Sequence, residues 1–307
     1  MPQNFYGPYG EQYKDYANAG NANLGRFPLG HTLILPDGRT YKFTLNDATV
    51  EVAGRMYQSV ASVTNHTNVA ADVARAIGAT AVSATLGATA AAVDIYAEGV
   101  LHTNNLTGEG YSYRIRRAMT AGAAHAAAAT SSILTVNLDS GESVQVALDT
   151  TSSVSFTRNR FHQALITASP PTAMLTGVSP GVAAANRFYW SQVKGYAAVL
   201  AAGTLLAGLP VQATAASGVA GSVENVKRRI QTAASTGSVL TAGTALVRSI
   251  LDQDGNASGL LAVSSVSTAT VYDASGGTAN NAPVVGMCVK ANADTDEALI
   301  DLDLNII

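Results

Sequence analysis

The stretch "NRFYWSQVKGYAAVLAAGTLLAGLPV", residues 186–211, decides the fold. It holds the single tryptophan, Trp190, and after Lys194 no charge appears until Glu224. A membrane helix needs about 20 consecutive apolar residues, and the uncharged run is long enough. Gly195, Gly203, Gly208, Pro210, Gly218 and Gly221 nevertheless interrupt it, and it continues into polar "QATAAS". Glycine and proline at that density break a spanning helix and suit strands and turns. The stretch therefore predicts a strand over 196–200, a turn at 201–203, a strand from Thr204, and another short strand after the turn at 208–210. No membrane association is expected.

The rest of the chain agrees with a β-rich reading. "HTLILPDGRTYKFTL" places Leu33 and Leu35, then Tyr41, Phe43 and Leu45, at period two around the turn Pro36-Asp37-Gly38. "ILTVNLDSGESVQVAL" predicts a hairpin with Leu134, Val136 and Leu138 facing Val144, Val146 and Leu148. Strands are also expected in "TAVSATLG", "AAVDIYAEG" and "YSYRIRR", and in "IDLDLNI" with its acids outside. "TNVAADVARAIG" is the best helix candidate, because Val69, Val73 and Ile77 recur every four residues before Gly78. The segment V-L-x-A-G-T-x-L occurs at 199 and again at 239, 40 residues later, which suggests one strand–turn–strand device used twice.

The expected organisation is mainly β, with two β-sandwich or barrel domains and at most one or two short helices. An extended arm covers 1–27, a β-rich domain 28–168, a linker 169–185 and a barrel-like domain 186–307. In the arm, Tyr6, Tyr9, Tyr13 and Tyr16 lie beside Phe5, separated by polar and small residues. Aromatic side chains bury large area at low entropy cost, so such an arm suits a partner anchor. The other reading folds it back on its own domain. Trp190 and Tyr196 are further candidate interface residues. For Trp190 the competing reading is an ordinary core position.

Composition limits the function classes. Charged residues make up 13% of 307, about half the usual share, and the net charge is -3. A neutral surface suits permanent contact with other protein, since interface cores are depleted in charge. A nucleic-acid partner is not expected, because the only basic runs are 114–117 and 227–229. Cys288 stands alone in an apolar run, which excludes an internal disulfide and predicts a buried thiol. The first residues show no basic and apolar leader. His31, His66, His102, His125 and His162 show no metal-ligand spacing, and neither a nucleophile elbow nor a phosphate loop occurs. "DQDGNASG" from Asp252 departs from a calcium loop, which needs glycine sixth and glutamate twelfth; here Gly255 is fourth and Val263 twelfth. No catalytic residue, cofactor or metal is expected.

The order of "FPLG", "PDGRTYKF", "NHTNVA", "IGATAVSATLGATA", "GEGYSYRI", "FYWSQVKGYAAVLAAGTLLAG" and "PVVGMCVKANADTDEALIDLDL" resembles virion structural proteins of tailed bacteriophages. Closest in character are capsid decoration, or cement, proteins. The resemblance covers most of the chain beyond residue 27 and rests on order rather than on any single motif. It implies β-rich domains, assembly as a homotrimer, a place on the outer capsid surface, the major capsid protein as partner, and no catalytic residues. A major capsid protein itself is not expected, since no helical period exceeds about three turns. Two other readings remain: a tail or fibre protein that binds a host glycan, and a glycan-cleaving enzyme, which needs two convergent carboxylates.

Overall fold

The computed structural model describes residues 4–18, 25–214, 219–226, 246–251, 257–263, 282–292 and 296–304. The chain forms two compact units, one of residues 1–226 with 281–307 and one of residues 227–280. It is mainly β. Two short 3-10 turns, Glu11–Tyr13 and Thr64–His66, are the helical elements among the described residues.

The strands, in order, begin with β1 (Phe5–Tyr6), β2 (Tyr16–Ala17), β3 (Thr32–Ile34), β4 (Thr40–Leu45) and β5 (Met56–Gln58). Next come β6 (Val69–Ala70), β7 (Ala81–Thr85), β8 (Val100–Asn105), β9 (Ser112–Arg114), β10 (Ile133–Asn137) and β11 (Ser153–Thr157). There follow β12 (Leu165–Ile166), β13 (Leu175–Val178), β14 (Arg187–Leu200), β15 (Pro210–Ala213) and β16 (Val223–Asn225). The smaller unit contains the antiparallel pair β17 (Leu246–Leu251) and β18 (Ala257–Val263). The larger unit ends with β19 (Val284–Lys290) and β20 (Glu297–Asp303).

Strand β14 is the axis of the largest sheet, ordered β1-β3-β4-β14-β20-β19-β15-β16. Its first half pairs with β4, Trp190 opposite Phe43, and its second half with β20, Tyr196 opposite Asp301. The exchange happens at a bulge between Gln192 and Lys194. Gly195 follows it with φ 85°, a left-handed conformation that glycine adopts without penalty. The Gln192 amide donates to the carbonyls of Lys194, Gly195 and Tyr196 at 3.3, 3.2 and 2.9 Å, which braces the bend. The opening stretch thus makes one strand of 14 residues, longer than the expected 196–200. No strand starts at Thr204, where the chain turns instead, and β15 follows as expected.

Residues 169–185 contain β13, which pairs with both β5 and β14. The sheet therefore draws strands from both sides of that segment. A separate layer is built from 69–157: the sheet β6-β11-β8-β9 and the pair β7–β10. Its core centres on Val82, Tyr96, Leu101, Tyr113, Val136 and Phe156.

The first hairpin forms as read: β3 and β4 are antiparallel, and Leu33, Leu35, Tyr41, Phe43 and Leu45 are all buried. β20 also forms with Ala298, Ile300 and Leu302 buried and Glu297, Asp301 and Asp303 exposed. Cys288 is buried. Three further local expectations fail. The segment 68–78 is no helix: Val69 pairs with Val154, Arg75 bridges Leu148, and Val73 and Ile77 are exposed. Its small apolar residues offer little helical stripe, and cross-chain bonding from Asp72 to Ser83 and Gly78 to Val144 satisfies the backbone instead. β10 keeps Leu134 and Val136 buried but pairs with β7, while 143–148 forms no strand. "AAVDIYAEG" becomes consecutive turns, with Asp94 and Glu98 at φ 53° and 58°. The buried Asp94 carboxylate there accepts from the backbone N–H groups of Gly122, Ala124 and His125. The second copy of the internal echo, the 227–229 basic run and most of the "DQDGNASG" segment lie outside the described residues.

Candidate interface and cleft

The N-terminal segment is pinned to the protein's own core. Phe5 in β1 runs parallel to β3, opposite Leu33, and its ring stacks on Phe27 at 5.5 Å and on Trp190 at 6.3 Å. Tyr16 in β2 pairs with Phe188 and lies 5.6 Å from the Phe43 ring. Its hydroxyl donates to Glu11, which also binds the Lys14 ammonium. Burial and that carboxylate push the Tyr16 hydroxyl up to about 12. Between these anchors Tyr6, Tyr9 and Tyr13 are 74%, 60% and 58% exposed. The segment folds back on its own domain and still presents three tyrosines outward.

Trp190 is a core residue. It is fully buried, edge-on to Phe43 at 5.0 Å, in the cluster of Leu29, Leu33, Tyr41, Phe43 and Phe188. Tyr196 sits on the other half of β14, beyond the bulge, and is 57% exposed. The five tyrosine and aromatic candidates of the arm therefore split into two anchors, Phe5 and Tyr16, and three outward rings. The groove beside Tyr13, walled by Val182, Ser179 and Tyr189, holds only about 10 Å³, room for a water rather than a ligand.

Within the basic run 114–117, Arg114 and Arg117 pair with Glu98 while Arg116 is exposed. Arg117 Nε lies 3.3 Å and Arg114 Nη2 3.6 Å from the buried Glu98 carboxylate, which also accepts from the Leu29 N–H at 2.9 Å. Burial raises the Glu98 carboxyl to about 7 against the pull of the two arginines.

A second feature had no sequence signal. The loop 59–63, the end of β11 with 158–160, and 172–174 enclose a cleft of about 430 Å³. Arg158 and Arg160 line it, with Tyr96 and Phe156. No carboxylate lines it among the described residues. Arg160 donates Nε to the Leu175 carbonyl at 2.8 Å and Nη2 to the same oxygen. Arg158 donates Nη1 to Gln163 at 2.7 Å, but its buried Nε has no partner. Burial lowers the pKa of both guanidinium groups.

Tyr96 is oriented from behind. His66 Nε2 faces the Thr89 carbonyl at 2.8 Å and must donate to it. Its Nδ1 then accepts from the Tyr96 hydroxyl, whose free lone pair faces Arg158. His125 is fixed likewise: its Nε2 accepts from the Tyr96 N–H at 3.0 Å, so its Nδ1–H donates to the Ala126 carbonyl. These two histidines are hydrogen-bonded framework residues. His162 is fully buried with neither ring nitrogen partnered.

Comparison with protein-family models, with curated proteins and with solved structures finds no match. The site must be read from its own chemistry. Among the described residues no three His, Cys, Asp or Glu side chains converge as metal ligands, and no helix is long and apolar enough to cross a membrane.

Proposed function

We propose that this chain is a structural virion protein that decorates and cements a phage capsid. In this reading it assembles as a homotrimer on the outer shell and bridges major capsid subunits, without catalysis. The observation that carries it is the division of labour in residues 5–16. Phe5 and Tyr16 are locked into the aromatic core while Tyr6, Tyr9 and Tyr13 stand exposed. Rings held outward by a fixed backbone lose little entropy on binding, which is what an adhesive contact needs. The order of sequence motifs and the low surface charge support the same reading. Many copies, each with a modest contact, would reinforce a shell through avidity.

The test is co-sedimentation of the purified chain with expanded capsid shells. Saturation at hundreds of copies per particle is expected. The triple variant Tyr6→Ala, Tyr9→Ala, Tyr13→Ala should bind at least about 10-fold more weakly with an unchanged melting temperature. Binding equal to the parent would remove these tyrosines from the contact. A handful of copies confined to the tail would replace decoration with the fibre reading.

A further inference from the structure

We infer that the cleft between loop 59–63, the β11 end and segment 172–174 binds an acidic sugar, its carboxylate on Arg158 and its ring against the apolar wall. Size comes first. About 430 Å³ lies within the range of small-molecule sites and far exceeds a bare inorganic anion. Charge comes second. Two arginines and no carboxylate line the cleft among its described residues. Arg160 gives only Nε and one Nη2 hydrogen to the Leu175 carbonyl and Arg158 gives Nη1 to Gln163, so each guanidinium retains further N–H groups, while the unpartnered Arg158 Nε is itself shut off from solvent. A carboxylate meets the remaining guanidinium N–H groups with charge-assisted bonds. The Tyr96 hydroxyl, held by His66, and Gln163 fix the guanidinium in place, so the donor is preorganised.

The remaining wall offers a sugar ring both apolar and hydroxyl contacts. Val60, Val63 and Met174 offer apolar contact for ring C–H groups. Ser59, Ser62, Thr157 and Thr172 supply hydroxyls around it. Thr172 Oγ1 already accepts from Gln58 at 2.8 Å, which leaves its own hydrogen to donate. A free acidic monosaccharide and the terminal acidic unit of a glycan share this chemistry. The site concerns residues distant in sequence from the outward tyrosines, so it stands or falls independently of capsid decoration.

The experiment is calorimetric titration of the full chain with glucuronic acid, N-acetylneuraminic acid, glucose and an oligosaccharide ending in an acidic sugar. Acidic sugars should bind at least about 10-fold tighter than glucose. A tighter oligosaccharide assigns the site to a glycan chain, and equal affinity assigns it to the free sugar. Arg158→Lys keeps the charge but loses the planar fork and should weaken binding at least about 10-fold. Because Arg158 also supports Tyr96, a second variant guards the result. Met174→Trp, at a position 61% exposed on the cleft wall, should block binding with no loss of melting temperature. Equal affinity for glucose and glucuronic acid, no binding of either, or undiminished binding by Met174→Trp overturns the proposal. Tighter binding of a tri-aspartate peptide than of any sugar also overturns it and makes the occupant a protein carboxylate.

Discussion

Phe5 and Tyr6 are adjacent in β1 and face opposite ways: Phe5 stacks on Trp190 at 6.3 Å, and Tyr6 is 74% exposed. Alternation at period two puts one ring in the core and the next on the surface. Stability and adhesion are therefore separable at neighbouring positions. Phe5→Ala should cost about 2–3 kcal/mol by opening a gap against Phe27 and Trp190. Tyr6→Ala should change stability by no more than about 0.5 kcal/mol. Urea denaturation measures both. Equal losses in the two variants would show that β1 docks through its backbone rather than through Phe5. Deleting residues 2–27 is a poor test of adhesion for the same reason, since it removes Phe5, Tyr16 and Phe27 together.

Gly177 makes the close pairing of β13 with β14 possible. It has φ 142°, and a Cβ there would lie 2.6 Å from the Gln192 carbonyl oxygen and still closer to the Ser191 hydroxyl. Gly177→Ala should destabilise by about 2–4 kcal/mol, from backbone strain and collision with a buried strand. A melting temperature within a degree of the parent would show that β13 can shift away from β14.

Much of the fold is legible where side-chain period and partner are both local. The β3–β4 hairpin has its turn and its two alternating faces within 15 residues, and β20 writes its inward and outward residues in strict order. The failures share a cause. Leu134 and Val136 show the correct face, but their partner β7 lies 50 residues earlier, which period cannot indicate. The turns around Asp94 are hidden because their stabilising bonds come from the backbone of 122–125. The aromatic arm is visible as composition, yet only the structure separates Phe5 and Tyr16 from Tyr6, Tyr9 and Tyr13. The cleft is invisible because its walls come from three segments and its arginines carry no motif.

Glu98 joins the 69–157 layer to the segment before β3. Its carboxylate meets Arg117 Nε and the Leu29 N–H, while Arg117 Nη2 also donates to the Gly25 carbonyl at 2.7 Å. Glu98→Ala should cost about 2–4 kcal/mol, because it strands a partly buried guanidinium and a buried N–H. A double-mutant cycle with Arg117→Ala should give a coupling of about 1 kcal/mol or more. The half-exposed Arg114 should couple by less than about 0.5 kcal/mol. The reverse order would mean that the outer arginine is the structural partner.

Two buried groups set opposite pH limits on stability. Burial raises the Glu51 carboxyl from 4.5 to about 8; the Asp47 charge adds to the rise and the Tyr189 and Ser179 hydroxyls oppose it. Folding therefore favours the protonated acid. That contribution is complete below pH 4.5 and is lost as pH rises toward 8. Burial lowers the His162 imidazole from 6.5 to about 3, with Arg158 and His125 adding to the fall. Folding here favours the neutral ring. Its contribution is complete above pH 6.5 and is lost as pH falls toward 3. Each shift corresponds to at most about 5 kcal/mol. The two slopes cancel between pH 4.5 and 6.5, so stability should peak there. Asp37 and Glu11, both lowered by their cationic and hydrogen-bonding neighbours, steepen the acid side further. Urea denaturation from about pH 2.5 to 8.5 reads the curve. Glu51→Gln should flatten the alkaline limb and leave the acid limb, and His162→Leu should do the opposite. A maximum above pH 7 in the parent, or an alkaline limb unchanged in Glu51→Gln, would show that Glu51 is ionised in the folded chain.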